Sequence, residues 1–222
     1  MTGPSKPARV AVLISGRGSN MEALIEACAT PGFPATLVSV VSNRPEAPGL
    51  AKARAAGLST TVIDHRAHAD RPAFEEALHA HLVDVGAELV CLAGFMRLLT
   101  AGFVERWQDR MLNIHPSLLP SFKGLHTHER ALEAGVRVHG CTVHLVRPDM
   151  DNGPILAQAA LAIAPDDTPD SLAARVLTLE HRIYPLALRL MAEGRVRVVD
   201  GRALVDGAAS PATTLINPRD EA

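Results

Sequence analysis

The sequence predicts an α/β fold: a Rossmann-like, mainly parallel twisted sheet with helices on both faces, and antiparallel strands in the C-terminal half. Three observations carry this. Short runs rich in Val, Ile and Leu alternate with amphipathic segments through the first half, the order that right-handed βαβ crossovers produce. The first apolar run leads directly into a Gly-rich turn and then into helical periodicity. Further on, two apolar runs flank one polar turn, Arg147–Pro154, as in an antiparallel pair.

Taken in order, Val10–Ile14 reads as a buried strand, followed by Ser15-Gly16-Arg17-Gly18-Ser19-Asn20 and a helix with Met21, Leu24, Ile25 and Cys28 on one face. Ala35–Val41 is a second strand and Glu46–Ala56 a helix stopped by Gly57. Ser59–Ile63 is a third strand. A helix from about Asp70 to Val85 carries Phe74, Leu78, His81, Leu82 and Val85 on one side, with Asp70 as cap and Pro72 in its first turn. Leu89–Leu92 is a fourth strand, Thr100–Trp107 a short helix and Met111–Ile114 a fifth strand. Ser117–Leu125 is a Pro- and Gly-containing loop and His128–Ala134 a helix. Arg137–Val146 and Ile155–Ile163 are strands, and Pro169–Met191 is a long helix started by Thr168 and Pro169. Arg195–Val199 and Ala203–Asp206 pair around Asp200-Gly201. The small, polar tail from Ala208 is expected to be loose.

The 222 residues are 47% hydrophobic, enough for one sizeable core. A net charge of −2 and 3% aromatic residues leave no footprint for nucleic acid. No apolar run approaches the roughly 18–20 residues of a membrane span. The N-terminus lacks the apolar stretch of a signal peptide, so a cytoplasmic protein is expected. Cys28, Cys91 and Cys141 sit in apolar segments without C-x-x-C spacing and read as reduced, buried thiols.

Gly16 and Gly18 allow the backbone to turn tightly after the first strand, and the amides that open the next helix would face an anion. Met21 stands where a dinucleotide fingerprint has its third glycine, and Asn43 where it has an acid; a Gly-Lys-Ser/Thr P-loop is absent. The turn therefore suits one phosphate of a small substrate, or else is a strand–helix turn with no ligand.

Asn113 and His115 end the fifth strand two residues apart, so their side chains share a face beyond its carboxyl end. Pro116 favours an extended His115. An amide donor beside an imidazole suits acyl transfer to an amine: Asn113 could donate to the oxyanion of a tetrahedral centre, and His115 could donate to it and shuttle a proton. The alternative is a strand-end histidine bonded to backbone. A carboxylate such as Asp151 near His115 would orient the ring and favour its charged form, although a solvated turn aspartate is the commoner case. His126, His128, His139 and His144 lack zinc-like spacing and H-E-x-x-H is absent, so no metal is expected. Ser117 is not in a G-x-S-x-G elbow, which argues against covalent catalysis.

Taken together, Ile14-Ser15-Gly16-x-Gly18-Ser19-Asn20, Leu92-Ala93-Gly94-Phe95-Met96-Arg97, Leu112-Asn113-Ile114-His115-Pro116-Ser117-Leu118-Leu119-Pro120 and Asp151-x-Gly153 resemble the folate-dependent formyltransferase family, from about Ala8 to about Asp206. The Gly-Ser-Asn turn is similar to its glycinamide ribonucleotide branch. The resemblance implies formyl transfer from 10-formyltetrahydrofolate to 5-phosphoribosylglycinamide, with Asn113, His115 and Asp151 as catalytic trio and Gly18, Ser19 and Asn20 at the phosphate. It implies that Glu180 binds the ribose, with a solvated helix glutamate as the alternative. It further implies that Arg71, Met96, Arg97, Leu98, Leu99, Asn113 and the loop Arg147, Pro148, Asp149, Met150 and Asp151 contact the folate, with no metal. Residues 1–207 would then be a single domain, with a phosphate-binding half of about 8–110 and a folate-binding, catalytic half of about 111–207, followed by a tail, 208–222. The protein would act on small molecules as a monomer or homodimer.

Other readings stay in view. Transfer to another small amine, or hydrolysis of formyltetrahydrofolate, would use the same centre. Methionyl-tRNA formyltransferases add a C-terminal RNA-binding domain and deformylases an N-terminal regulatory one, and neither is expected here. A noncatalytic nucleotide-binding module would leave Asn113, His115 and Asp151 without a task. A nicotinamide oxidoreductase is disfavoured by Met21 and Asn43.

Overall fold

The computed structural model describes residues 6–209 and 215–217. A seven-stranded sheet has the order β3-β2-β1-β4-β5-β6-β7. Its strands are β1 (Ala8–Ile14), β2 (Ala35–Ser42), β3 (Thr60–Val62), β4 (Leu89–Leu92), β5 (Met111–His115), β6 (Val138–Leu145) and β7 (Ile155–Ala162). The first five are parallel, and β6 and β7 run antiparallel. The hairpin of β8 (Val196–Val199) and β9 (Arg202–Val205) forms a second, two-stranded sheet.

Alternation along the central strand divides the core. Val10, Val12 and Ile14 point into a cluster with α1 (Ser19–Ala29), α2 (Gly49–Ala55) and α6 (Pro169–Ala192). Ala11 and Leu13 point into another with α3 (Arg71–Asp84) and α4 (Ala101–Arg106). Helices thus cover both faces of the parallel strands, as expected for buried βαβ units. α5 (Thr127–Glu133) follows the loop after β5.

Start and stop signals mostly act as read. Asp70 accepts from Ala73 N, and Thr168 and Ser171 form a reciprocal capping box on α6. The helix expected from Glu46 instead begins at Gly49, because Pro48 acts as its N-cap residue and Ala47 N closes a turn on Arg44 O. The buried phenol of Tyr184 donates to the carbonyls of Leu92 (3.0 Å) and Leu112 (3.3 Å), tying α6 to the two strands that carry the site. Cys91 and Cys141 are buried and free, whereas Cys28 is half-buried. Much of the tail expected to be loose lies outside the described residues, but Asn217 Nδ2 is anchored on the carbonyls of Arg137 (2.6 Å) and Ile163 (3.1 Å).

The chain leaves β1 for β2 and β3 on one side, then returns to place β4 on the other. That reversal opens a crevice beyond the carboxyl ends of β1 and β4. The loops on its two sides touch, with Ser15 N donating to Gly94 O at 3.1 Å.

Candidate active site

β5 pairs with β4 on one side, Leu92 opposite Asn113, and with β6 on the other, Asn113 opposite His144. Directly paired residues share a face, so the register of β6 brings a second imidazole beside Asn113. His144 Nδ1–H donates to Leu145 O at 3.0 Å, which leaves Nε2 to accept from Asn113 Nδ2 at 3.1 Å. Burial holds His144 below the ordinary histidine range, keeping Nε2 an acceptor. One amide proton of Asn113 is thereby fixed, and its second is available to another oxygen. His144 entered the sequence reading only as a candidate metal ligand. Its role follows from strand register, which no local motif carries.

His115 is 6% exposed and held between two oxygens. Its Nε2–H donates to Phe122 O at 3.0 Å, and its Nδ1 lies 3.5 Å from Asp151 Oδ2. Asp151 comes from the β6–β7 connection, at φ 51° in the left-handed region, where aspartate is among the tolerated residues. It is not a solvated turn aspartate: its Oδ2 also accepts from Gly124 N at 2.8 Å, and its Oδ1 lies 3.8 Å from His144 Nε2. Gly153 allows this connection, because a Cβ there would lie 1.7 Å from Leu145 O. Asn113, His115, His144 and Asp151 therefore form one cluster. Ser117 stands apart from it, its hydroxyl donating to Ser121 O at 2.6 Å.

Across the crevice, Gly18 caps α1 at φ 73°, a conformation that favours glycine, and no side chain caps the first-turn amides. Ser19 and Asn20 are half-buried. Asn20 Nδ2 donates to Glu180 Oε2 at 2.5 Å, while Asn20 Oδ1 is buried without a partner. Glu180 is buried rather than a solvated helix glutamate, and burial pushes its carboxyl up against the opposing effect of the Asn20 bond. The phosphate turn and the acid on α6 thus meet, 160 residues apart in sequence.

The remaining expected contacts divide. Met96 and Leu98 are 61% and 59% exposed, and Leu99 leans on the α3–α4 cluster. Arg97 is half-buried, with its Nε unpartnered. Arg71 is exposed at the start of α3, and Pro148, Asp149 and Met150 are exposed on their loop. The Arg147 guanidinium pairs with Asp109, so its charge is already engaged. A cavity of about 330 Å³ is lined by Arg147, Pro148, Asp149, Asn152, Pro154 and Gly201. Another of about 550 Å³ lies between α1 and α6 against Ser19 and His181. Neither is lined by His115. Among the described residues, no three His, Cys, Asp or Glu side chains gather as a metal-ligating group.

The loop over His115 is coupled to a histidine pair. His128 of α5 and His139 of β6 meet edge to face at 5.3 Å, and Phe122 lies 6.0 Å from His139. Burial, then the neighbouring His128, pushes His139 down to about 4. The unfolded chain binds that proton near 6.5, so between about 6.5 and 4 the unfolded state holds more protons. The stability from neutral His139 is present above pH 6.5 and is lost as pH falls through this window. We expect the urea midpoint of wild type to fall more steeply from pH 7 to 4.5 than that of His139→Gln. Parallel pH dependences would refute this.

Comparisons with known proteins agree with the fold. Residues 8–188 match the formyl transferase family. Phosphoribosylglycinamide formyltransferase of Escherichia coli is 44% identical over 91% of this chain and 95% of its own. The trifunctional purine biosynthetic protein adenosine-3 of Bos taurus is 51% identical over 87% of this chain, which spans only 19% of that longer protein. A crystal structure of glycinamide ribonucleotide transformylase 1 from Symbiobacterium toebii superposes with a TM-score of 0.88, at 45% identity, over 90% of this chain and 94% of that one.

Proposed function

The chain belongs to the formyl transferase family, and from that premise we propose that it transfers the formyl group of 10-formyltetrahydrofolate to the amine of 5-phosphoribosylglycinamide in de novo purine biosynthesis. The observation that carries this is one crevice with Asn113, His115 and Asp151 on one side and an uncapped helix N-terminus beside a buried acid on the other. A phosphate and a ribose suit the second side; an amine and an acyl donor suit the first.

The residues also fit the folate. Its flat, largely apolar ring suits the exposed Met96 and Leu98, and its carboxylates suit Arg97, whose Nε has no partner, and the exposed Arg71. The carrier supplies an activated formyl carbon. Gly18, Ser19 and Asn20 would hold the phosphate through backbone amides and side-chain donors. Glu180 would accept from a ribose hydroxyl, exchanging with its bond to Asn20. The free Nδ2 proton of Asn113 would donate to the oxygen that becomes negative as the amine adds. His115, oriented by Asp151 at Nδ1, would exchange its Nε2 bond to Phe122 O for one to that oxygen and carry a proton from the amine toward the departing nitrogen, directly or through water. On this reading residues 1–207 act as one domain, in the cytoplasm, on small molecules, as a monomer or homodimer.

A spectrophotometric assay of 10-formyltetrahydrofolate, with and without 5-phosphoribosylglycinamide, tests the proposal. Carrier loss that requires the amine and disappears in His115→Ala is the expected result. Loss without the amine would indicate hydrolysis, and no loss would indicate another acceptor or a binding module.

A further inference from the structure

The segment Arg97–Leu99 is held at its two ends by side chains outside the site. Met96 and Leu98 are exposed, Arg97 is half-buried and only Leu99 leans on a core cluster, so apolar packing does little to set its shape. At one end, Met96 N donates to Ser15 Oγ at 2.8 Å. Ser15 Oγ in turn donates to Asn43 Oδ1 at 2.5 Å, and both residues are buried. At the other end, Glu75 of α3 accepts from Thr100 N at 2.7 Å with Oε1, and from the Thr100 hydroxyl with Oε2. Thr100 then caps α4 through Phe103 N.

Glu75 is 4% exposed on the apolar face of α3 between Phe74 and Leu78. A carboxylate there is costly, whereas an apolar side chain would continue the face. Both of its oxygens serve Thr100. Asn43, at the position where a dinucleotide site carries its acid, orients Ser15 instead.

We propose that Ser15 and Glu75 are positioning residues that clamp Arg97–Leu99 in the conformation that receives the pterin of the carrier, with Asn43 setting the Ser15 hydroxyl. This rests on the folate reading given above. A segment held in its binding shape before the ligand arrives avoids the ordering cost at binding.

The test uses Glu75→Ala, Ser15→Ala and Glu75→Gln in the full chain. Amide hydrogen exchange of Arg97–Thr100 without ligand is expected to quicken about tenfold in the two alanine variants, as one or two hydrogen bonds are lost. The Kd for tetrahydrofolate and the KM for the formyl carrier should rise about 5–20-fold, while the KM for the phosphorylated amine stays within about twofold. Glu75→Gln should restore the carrier KM, because its amide can accept from Thr100 N and donate to Thr100 Oγ. Unchanged exchange, or an equal rise in both KM values, overturns the proposal. If Glu75→Ala does not fold, Thr100→Val removes the same hydroxyl bond and is judged by the same readings. Wild type that binds no tetrahydrofolate defeats the folate reading alone, since exchange still decides whether the clamp exists.

Discussion

Asp151→Asn is expected to lower kcat by about 10²- to 10⁴-fold in a protein that still folds, the range seen when a general acid–base loses its function. The reason is local. Asparagine tolerates the positive φ of 51°, and its amide oxygen can still accept from Gly124 N, so the loop keeps its anchor. The negative charge 3.5 Å from His115 Nδ1 is lost. The ring then has no fixed charge to orient it, and its protonated form has lost a partner. Urea unfolding shows whether the fold survives, and single-turnover kinetics reads the chemical step. A folded variant with wild-type turnover would remove Asp151 from the mechanism.

Asn113→Ala should cost about 10²- to 10³-fold in kcat, the usual loss for one oxyanion donor. The donation strengthens as the oxygen gains charge, so kcat and kcat/KM should fall together, with both KM values near wild type. The deletion also strips His144 Nε2 of its donor, and some stability should go with it. His144→Ala, which frees the Asn113 amide to rotate, should reduce kcat less than Asn113→Ala does. A rise in KM with unchanged kcat in Asn113→Ala would show that the amide binds substrate without stabilising the transition state.

Much of this could be read along the chain. The parallel strands announce themselves as apolar runs because both of their faces are buried, and their bounds in the structure match the reading at β4 and lie within two residues of it elsewhere. Helix ends followed the caps at Asp70 and Thr168. The start of α2 was missed because Glu46 and Ala47 continue a helical pattern, while Pro48 decides where the ladder begins. Asn113 and His115 were legible as a pair because strand alternation is a local rule.

The amino-acid order by itself determined the βαβ alternation, the Gly-rich turn and the Asn–His pair on one face, since each depends on periodicity and backbone sterics within a few residues. Only the tertiary structure decided that Asp151 turns back to His115, that Glu180 meets Asn20, that His144 supports Asn113, and that Glu75 and Ser15 grip the ends of one loop. Those contacts join residues between 25 and 160 positions apart. They depend on strand register and on how α6 lies across the sheet, which are set by burial of whole faces and leave no mark in any short stretch of sequence.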